Sequence, residues 1–150
     1  MDLNTVLKSE KQSLLESAVK MLKSVRLKHY EKSPAETTHM RIESLYSVMS
    51  ECVSSKQIIP MLSYTEKIAN ERHAEGFDLY EVHSAFNILE EIIWNEIVKR
   101  FPPNELALAL GTISTVLGAG KEHFAQTYVS LAANKKAPSL NLRALFEGAD

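Results

Sequence analysis

Little in this sequence breaks a helix or staples a fold. Only one of its 150 residues is cysteine, Cys52, so no internal disulfide can form, and a reducing compartment is favoured. Glycine and proline are scarce and fall mostly at joints between periodic segments, which leaves an all-β fold without its turn chemistry. Basic charge is not in excess: the formal net charge is −2 with the signs interspersed. That excludes the phosphate-neutralising face of a nucleic-acid binder. Long apolar runs are missing as well. Stretches such as Leu106 to Leu110 fall far below the roughly 18 residues a membrane helix needs. Met1 to Glu10 lacks the charged start and apolar stretch of a signal peptide. The expectation is a soluble, cytoplasmic protein with no nucleic-acid or membrane partner. A chain of this length buries roughly 68–70% of its unfolded surface, enough for one core.

What is present is helical periodicity. The spacing predicts a first helix from about Leu3 to Lys32, with Leu7, Leu14, Leu15, Ala18, Leu22 and Val25 on one face. Ser33-Pro34 ends it. A second helix is expected over about Thr38 to Ser54 with Thr38 as its cap. A third starts near Ser55 and carries Met61, Leu62, Thr65, Ile68 and Ala69 inward. The fourth, about Asp78 to Arg100, has the widest apolar arc and should be central, touched from two sides. The fifth begins at Asn104 and runs to about Ala133, with Gly120 in the middle of its seam. A glycine there costs about 1 kcal/mol against alanine, so a close backbone approach is expected. Gly111 and Gly118 lie off that seam. The predicted class is all-α: an antiparallel bundle of about five helices, a globin-like arrangement among the options, plus a short C-terminal helix. Residues 1–136 form the bundle. Residues 137–150 form a linker and a short helix carrying Leu142, Leu145 and Phe146, which need something to pack on.

The run from Arg72 to Val82 is the sharpest punctuation in the chain. Gly76 suits the left-handed position that ends a helix. Asp78 and Glu81 have capping-box spacing, and Phe77 and Val82 occupy the staple positions around that cap. By helical angle Arg72 falls inside the apolar arc of the third helix. It either forms an Arg72–Glu81 bridge across the turn or faces a pocket for a small anionic signal. His83 lies on a flank of the fourth helix. The candidate polar site is therefore Arg72, Glu81 and His83.

Chemistry of other kinds finds no support in the residues. Only one Glu-x-x-His spacing occurs, Glu36 to His39, whereas a di-metal bundle needs two, so no metal is expected. His29 and His83 could each ligate haem, but a lone histidine on a helix more often packs, and no cofactor is expected. Cys52 sits in an apolar stripe, where it behaves as a small hydrophobe. There is no nucleophile elbow and no phosphate loop; Gly118-Ala119-Gly120-Lys121 is too short and lies mid-helix. No catalytic residue is assigned. Trp94 lies off its seam and, with Tyr64 or Tyr80, could mark an edge.

From about Leu14 to Lys136 the pattern resembles the amino-terminal sensor domain of RsbRD-type stressosome co-antagonist proteins. The resemblance rests on Ile68 to Val82, then on Phe86-Asn87-Ile88-Leu89-Glu90-Glu91-Ile92-Ile93-Trp94, and on Phe124-Ala125-Gln126-Thr127-Tyr128. It implies a non-enzymatic regulatory domain of a bacterial stress-response or sensor protein, which dimerises and passes a signal to an output partner. The sequence ends at Asp150, so the input part either stands alone here or belongs to a longer chain. The fifth-helix seam and the tail carry more apolar surface than one bundle easily covers. The expected homodimer interface is Leu106, Leu110, Ile113, Leu117, Leu142 and Phe146. The alternative is a helical carrier domain for a small ligand or haem.

Overall fold

A computed structural model describes residues 1–136. Among them are seven helices and no strand: α1 (Leu3–Ser9), α2 (Lys11–Ser24), α3 (Lys28–Lys32), α4 (Ala35–Ser55), α5 (Ile59–Glu75), α6 (Leu79–Arg100) and α7 (Pro103–Lys136). The all-α class holds. The count of about five does not, because the expected first helix is three pieces.

The first break, at Glu10, is a kink: its N–H still reaches the carbonyl of Val6 at 3.0 Å. The apolar face runs on across it, with Leu7, Leu14, Leu15, Ala18 and Leu22 all buried. The second break is a change of direction. Arg26 adopts a left-handed backbone at φ 51°, and Val25, assigned to the seam, is left exposed. Leu27 and Tyr30 are buried in its place. The apolar period alone cannot register this, because Val25 fits the stripe as well as Leu22 does. Thr38 is also not a cap. The helix begins earlier, after Pro34, which leaves Thr38 buried with no hydrogen-bond partner for its hydroxyl.

α6 packs against α2, α3, α4 and α7, as its wide apolar arc requires. Val82, Ala85, Phe86, Leu89, Ile93 and Ile97 are buried along it. α5 and α6 are consecutive in sequence, yet they hardly touch. Each instead packs on α7, which lies in the cleft between them. Gly120 marks a close approach to both. A Cβ built there would stand 2.8 Å from the Met61 sulfur of α5 and 3.0 Å from the Phe86 ring of α6. The glycine is therefore there because no side chain fits. At 1.5 Å per residue α7 is about 51 Å long. It runs to Lys136, three residues beyond the end expected at about Ala133. The short C-terminal helix expected beyond it lies outside the described residues.

Candidate functional site

The corner between α5 and α6 is built from Gly76 outward. Its backbone is left-handed at φ 87° and receives the end of α5. The N–H of Phe77 donates to the carbonyl of Arg72 at 3.0 Å. Asp78 then starts α6 with the capping box its spacing predicts. Phe77 and Val82, the staple pair, are both buried. The turn turns the Phe77 ring into the middle of a polar cluster. Its centroid lies 4.8 Å from His29 and 5.2 Å from Tyr30. The guanidinium carbons of Arg41 and Arg72 lie 5.1 Å and 5.8 Å from the same ring, within cation–π range.

Glu81 does more than cap its own helix. It is 3% exposed. One carboxylate oxygen accepts the N–H of Asp78 at 3.0 Å and lies 2.7 Å from His29 Nδ1. The other accepts the backbone N–H of His29 at 2.8 Å. A carboxylate only accepts, so the His29 Nδ1 carries the hydrogen. One side chain thus satisfies free N–H groups at the start of both α3 and α6, which otherwise lack partners. Burial pushes the Glu81 carboxyl upward. The backbone donors of Asp78 and His29, with the His29 ring, outweigh it and hold the group below its ordinary value. This contact also explains the turn at Arg26, since α3 must swing across to deliver His29.

The bridge expected between Arg72 and Glu81 is absent. With α7 between them, α5 and α6 diverge from the corner, and the two side chains face different neighbours. Arg72 is buried, as its place in the apolar arc implies. It donates from Nη1 to Glu71 at 3.4 Å and to Glu75 at 3.3 Å. Glu75 also accepts from Arg41 Nη2 at 2.7 Å, so one carboxylate spans two guanidiniums. Tyr30 and Tyr64 close the cluster. Burial, opposed in part by Arg72, pushes both phenols up to about 12, so both keep their hydrogen at neutral pH.

His83 is not part of this group. Its Nε2 lies 3.2 Å from the Lys121 carbonyl, and its ring faces Phe124 of α7. Phe124 stacks on Tyr128, and Tyr128 meets the edge of His73. These aromatics seat α7 in the cleft. No cluster of metal-ligating side chains occurs among the described residues. The corner residues missed from sequence are His29, Arg41 and Glu75. No local signal links His29 to Glu81 or Arg41 to Glu75, which stand 52 and 34 positions apart, whereas Glu75 follows Arg72 at the i,i+3 spacing of a helical ion pair.

The expected dimer surface also needs correction. Ile113 and Leu117 are fully buried within the chain's own core and are not available to a partner. Leu106 and Leu110 are half-buried and pack on that core. Leu142 and Phe146 lie outside the described residues. The outward stripe of α7 runs instead through Leu108, Gly111, Thr115, Gly118, Glu122, Ala125, Val129 and Ala132, alternating steps of three and four. Trp94 stands 40% exposed on α6.

Comparison with protein-family models, with curated proteins and with solved structures finds no match for this chain. The fold and the corner define an all-α protein, and no helix among the described residues is long and apolar enough to cross a membrane.

Proposed function

We propose that this protein is a non-enzymatic regulatory module: it receives a signal at the α5–α6 corner, self-associates through α7 and acts on a protein output partner. The resemblance to stressosome sensor domains suggests a bacterial stress response and a cytoplasmic site of action. The observation that carries the reading is the outer stripe of α7. A solvated helix face is normally charged. This one offers a single charge, Glu122, between Leu108 and Ala132. Leu108 is 79% exposed and Val129 is 58% exposed. Gly111 and Gly118 would meet nothing if given a Cβ, so the fold of one chain gives no reason for either. Each weakens a helix by about 1 kcal/mol against alanine. A second helix packed closely along the stripe supplies the reason, and the spacing of three and four suits such packing. An apolar groove of about 770 Å³ adjoins it, lined in part by Leu3, Cys52, Ile58 and Leu108.

In this reading α7 is the transmitting element. Its inner face is held by both helices of the corner, and its outer face meets the second copy. A signal that changes the corner is passed on as a shift of α7 in its cleft. Size-exclusion chromatography with light scattering tests the association. A dimer at tens of micromolar is expected, and Leu108→Glu with Gly118→Glu should return it to a monomer with unchanged helical content. A wild-type monomer at those concentrations would overturn the reading.

A further inference from the structure

A groove of about 370 Å³ lies against the arginine pair, lined by Thr37, Ser44, Tyr64 and Lys67 together with Arg41 and Arg72. A void of about 20 Å³ lies behind it, and Arg41, Tyr64 and Arg72 line both. The groove has the size of a small-molecule cleft, and the arginines stand in its inner wall.

Two features set these arginines apart from a simple structural clasp. The first is incomplete pairing. The Arg72 side chain is only 8% exposed, yet both its hydrogen bonds leave from Nη1 and both exceed 3.2 Å. Well-made guanidinium–carboxylate pairs are about 2.7–2.9 Å and use two nitrogens. Nε and Nη2 have no protein partner among the described residues, and neither is sealed from water. Two of its nitrogens are therefore open to a partner that enters from the groove. The second is the nature of the present partner. Glu75 is 41% exposed and bridges the two guanidiniums with its two oxygens. That is the pose of a bound carboxylate, held here by a side chain with an open path to solvent. Lys67 adds a third cation against the two carboxylates of Glu71 and Glu75.

We propose that the groove binds a small organic dicarboxylate, one end displacing Glu75 from between Arg41 and Arg72 and the other meeting Lys67. The proposal rests on the reading of this protein as an input module and names the ligand class of its corner. Glu75 directly precedes Gly76, so its release acts on the joint that sets α6. The phenol of Tyr64 and the hydroxyl of Thr37 give neutral donors beside the charges.

Isothermal titration of the full chain with succinate, at constant ionic strength held by chloride, tests it, with inorganic phosphate as a separate arm. Saturable succinate binding is expected. Glu75→Gln should tighten it roughly tenfold by removing the internal competitor, and Arg72→Lys should weaken it at least tenfold because the planar fork is lost. If Arg72→Lys loses its helical circular dichroism, Arg41→Lys replaces it and is expected to weaken binding likewise. No saturable heat from wild type or Glu75→Gln at millimolar succinate would overturn the proposal. So would binding of phosphate alone, or an unchanged affinity in the folded lysine variant. Light scattering on the same samples separates the two readings. A monomer that binds succinate defeats only the α7 association, and a dimer indifferent to succinate defeats only the ligand.

Discussion

The inner and outer faces of α7 both carry glycines, under opposite constraints. Gly120 looks inward and has no room for a methyl group, with Met61 and Phe86 at 3.0 Å or less. Gly111 and Gly118 look outward onto nothing within 4 Å. On the inner face glycine is required by the packing of α5 and α6. On the outer face only a contact made beyond the chain would require it. The same residue type at similar helical spacing therefore carries different information, and only the surroundings tell which.

The largest test of this contrast is Phe86→Ala. Phe86 is 1% exposed and forms one wall of the cleft, so its truncation should cost roughly 3–5 kcal/mol. Chemical denaturation measures it, and a loss under about 1 kcal/mol would mean that the cleft does not hold α7. A control off both faces comes next. Glu81→Ala strips two backbone N–H groups and the His29 ring of their shared acceptor and should cost roughly 3 kcal/mol, with the association state unchanged. The group also sets an acid limit. Its carboxyl is held below the ordinary 4.5 in the folded chain. Its stabilisation is thus present above about pH 4.5 and is lost as pH falls through the lower folded value. Melting temperatures taken from pH 6 downward should fall in that window for wild type and fall less for Glu81→Gln.

Gly120→Ala should cost about 1–2 kcal/mol, since the strain of overpacking exceeds the gain in helix propensity. In a Phe86→Ala background the same change should cost less, because the ring it would strike is gone. Additive losses would show that the two sites do not meet. The smallest effect belongs to the outer face. Gly111→Ala and Gly118→Ala should each leave the protomer unharmed or more stable by up to about 1 kcal/mol, while weakening association. If either change leaves the dimer as tight as before, the outer stripe is not where the copies meet.

Much of the corner was legible in sequence because its rules are local. Gly76, the Asp78–Glu81 capping box and the Phe77–Val82 staple span seven residues, and backbone geometry fixes their roles. The burial of Arg72 followed from helical angle. Its partner did not, because the expected bridge assumed that consecutive helices lie side by side. α7 was known to need a close approach at Gly120, yet nothing in its period said that both Met61 and Phe86 would provide it. The same omission put two buried residues on the expected interface. Ile113 and Leu117 read as a seam in need of a cover, and the cover is the chain's own cleft. The break at Arg26 was invisible because Val25 satisfies the apolar stripe. It follows from a hydrogen bond to a residue more than fifty positions away.

By itself the sequence determined the helical class, the joints at Pro34 and Gly76, and most of the residues that turn inward, since each depends on neighbours within a few turns. The tertiary structure alone decided that α7 separates α5 from α6, and with it that Glu81 takes His29 while Arg72 and Arg41 share Glu75. Burial specifies that an apolar face must be covered, but it is non-directional and any complementary face will serve. Which face covers which is settled only when all the helices compete for the same space.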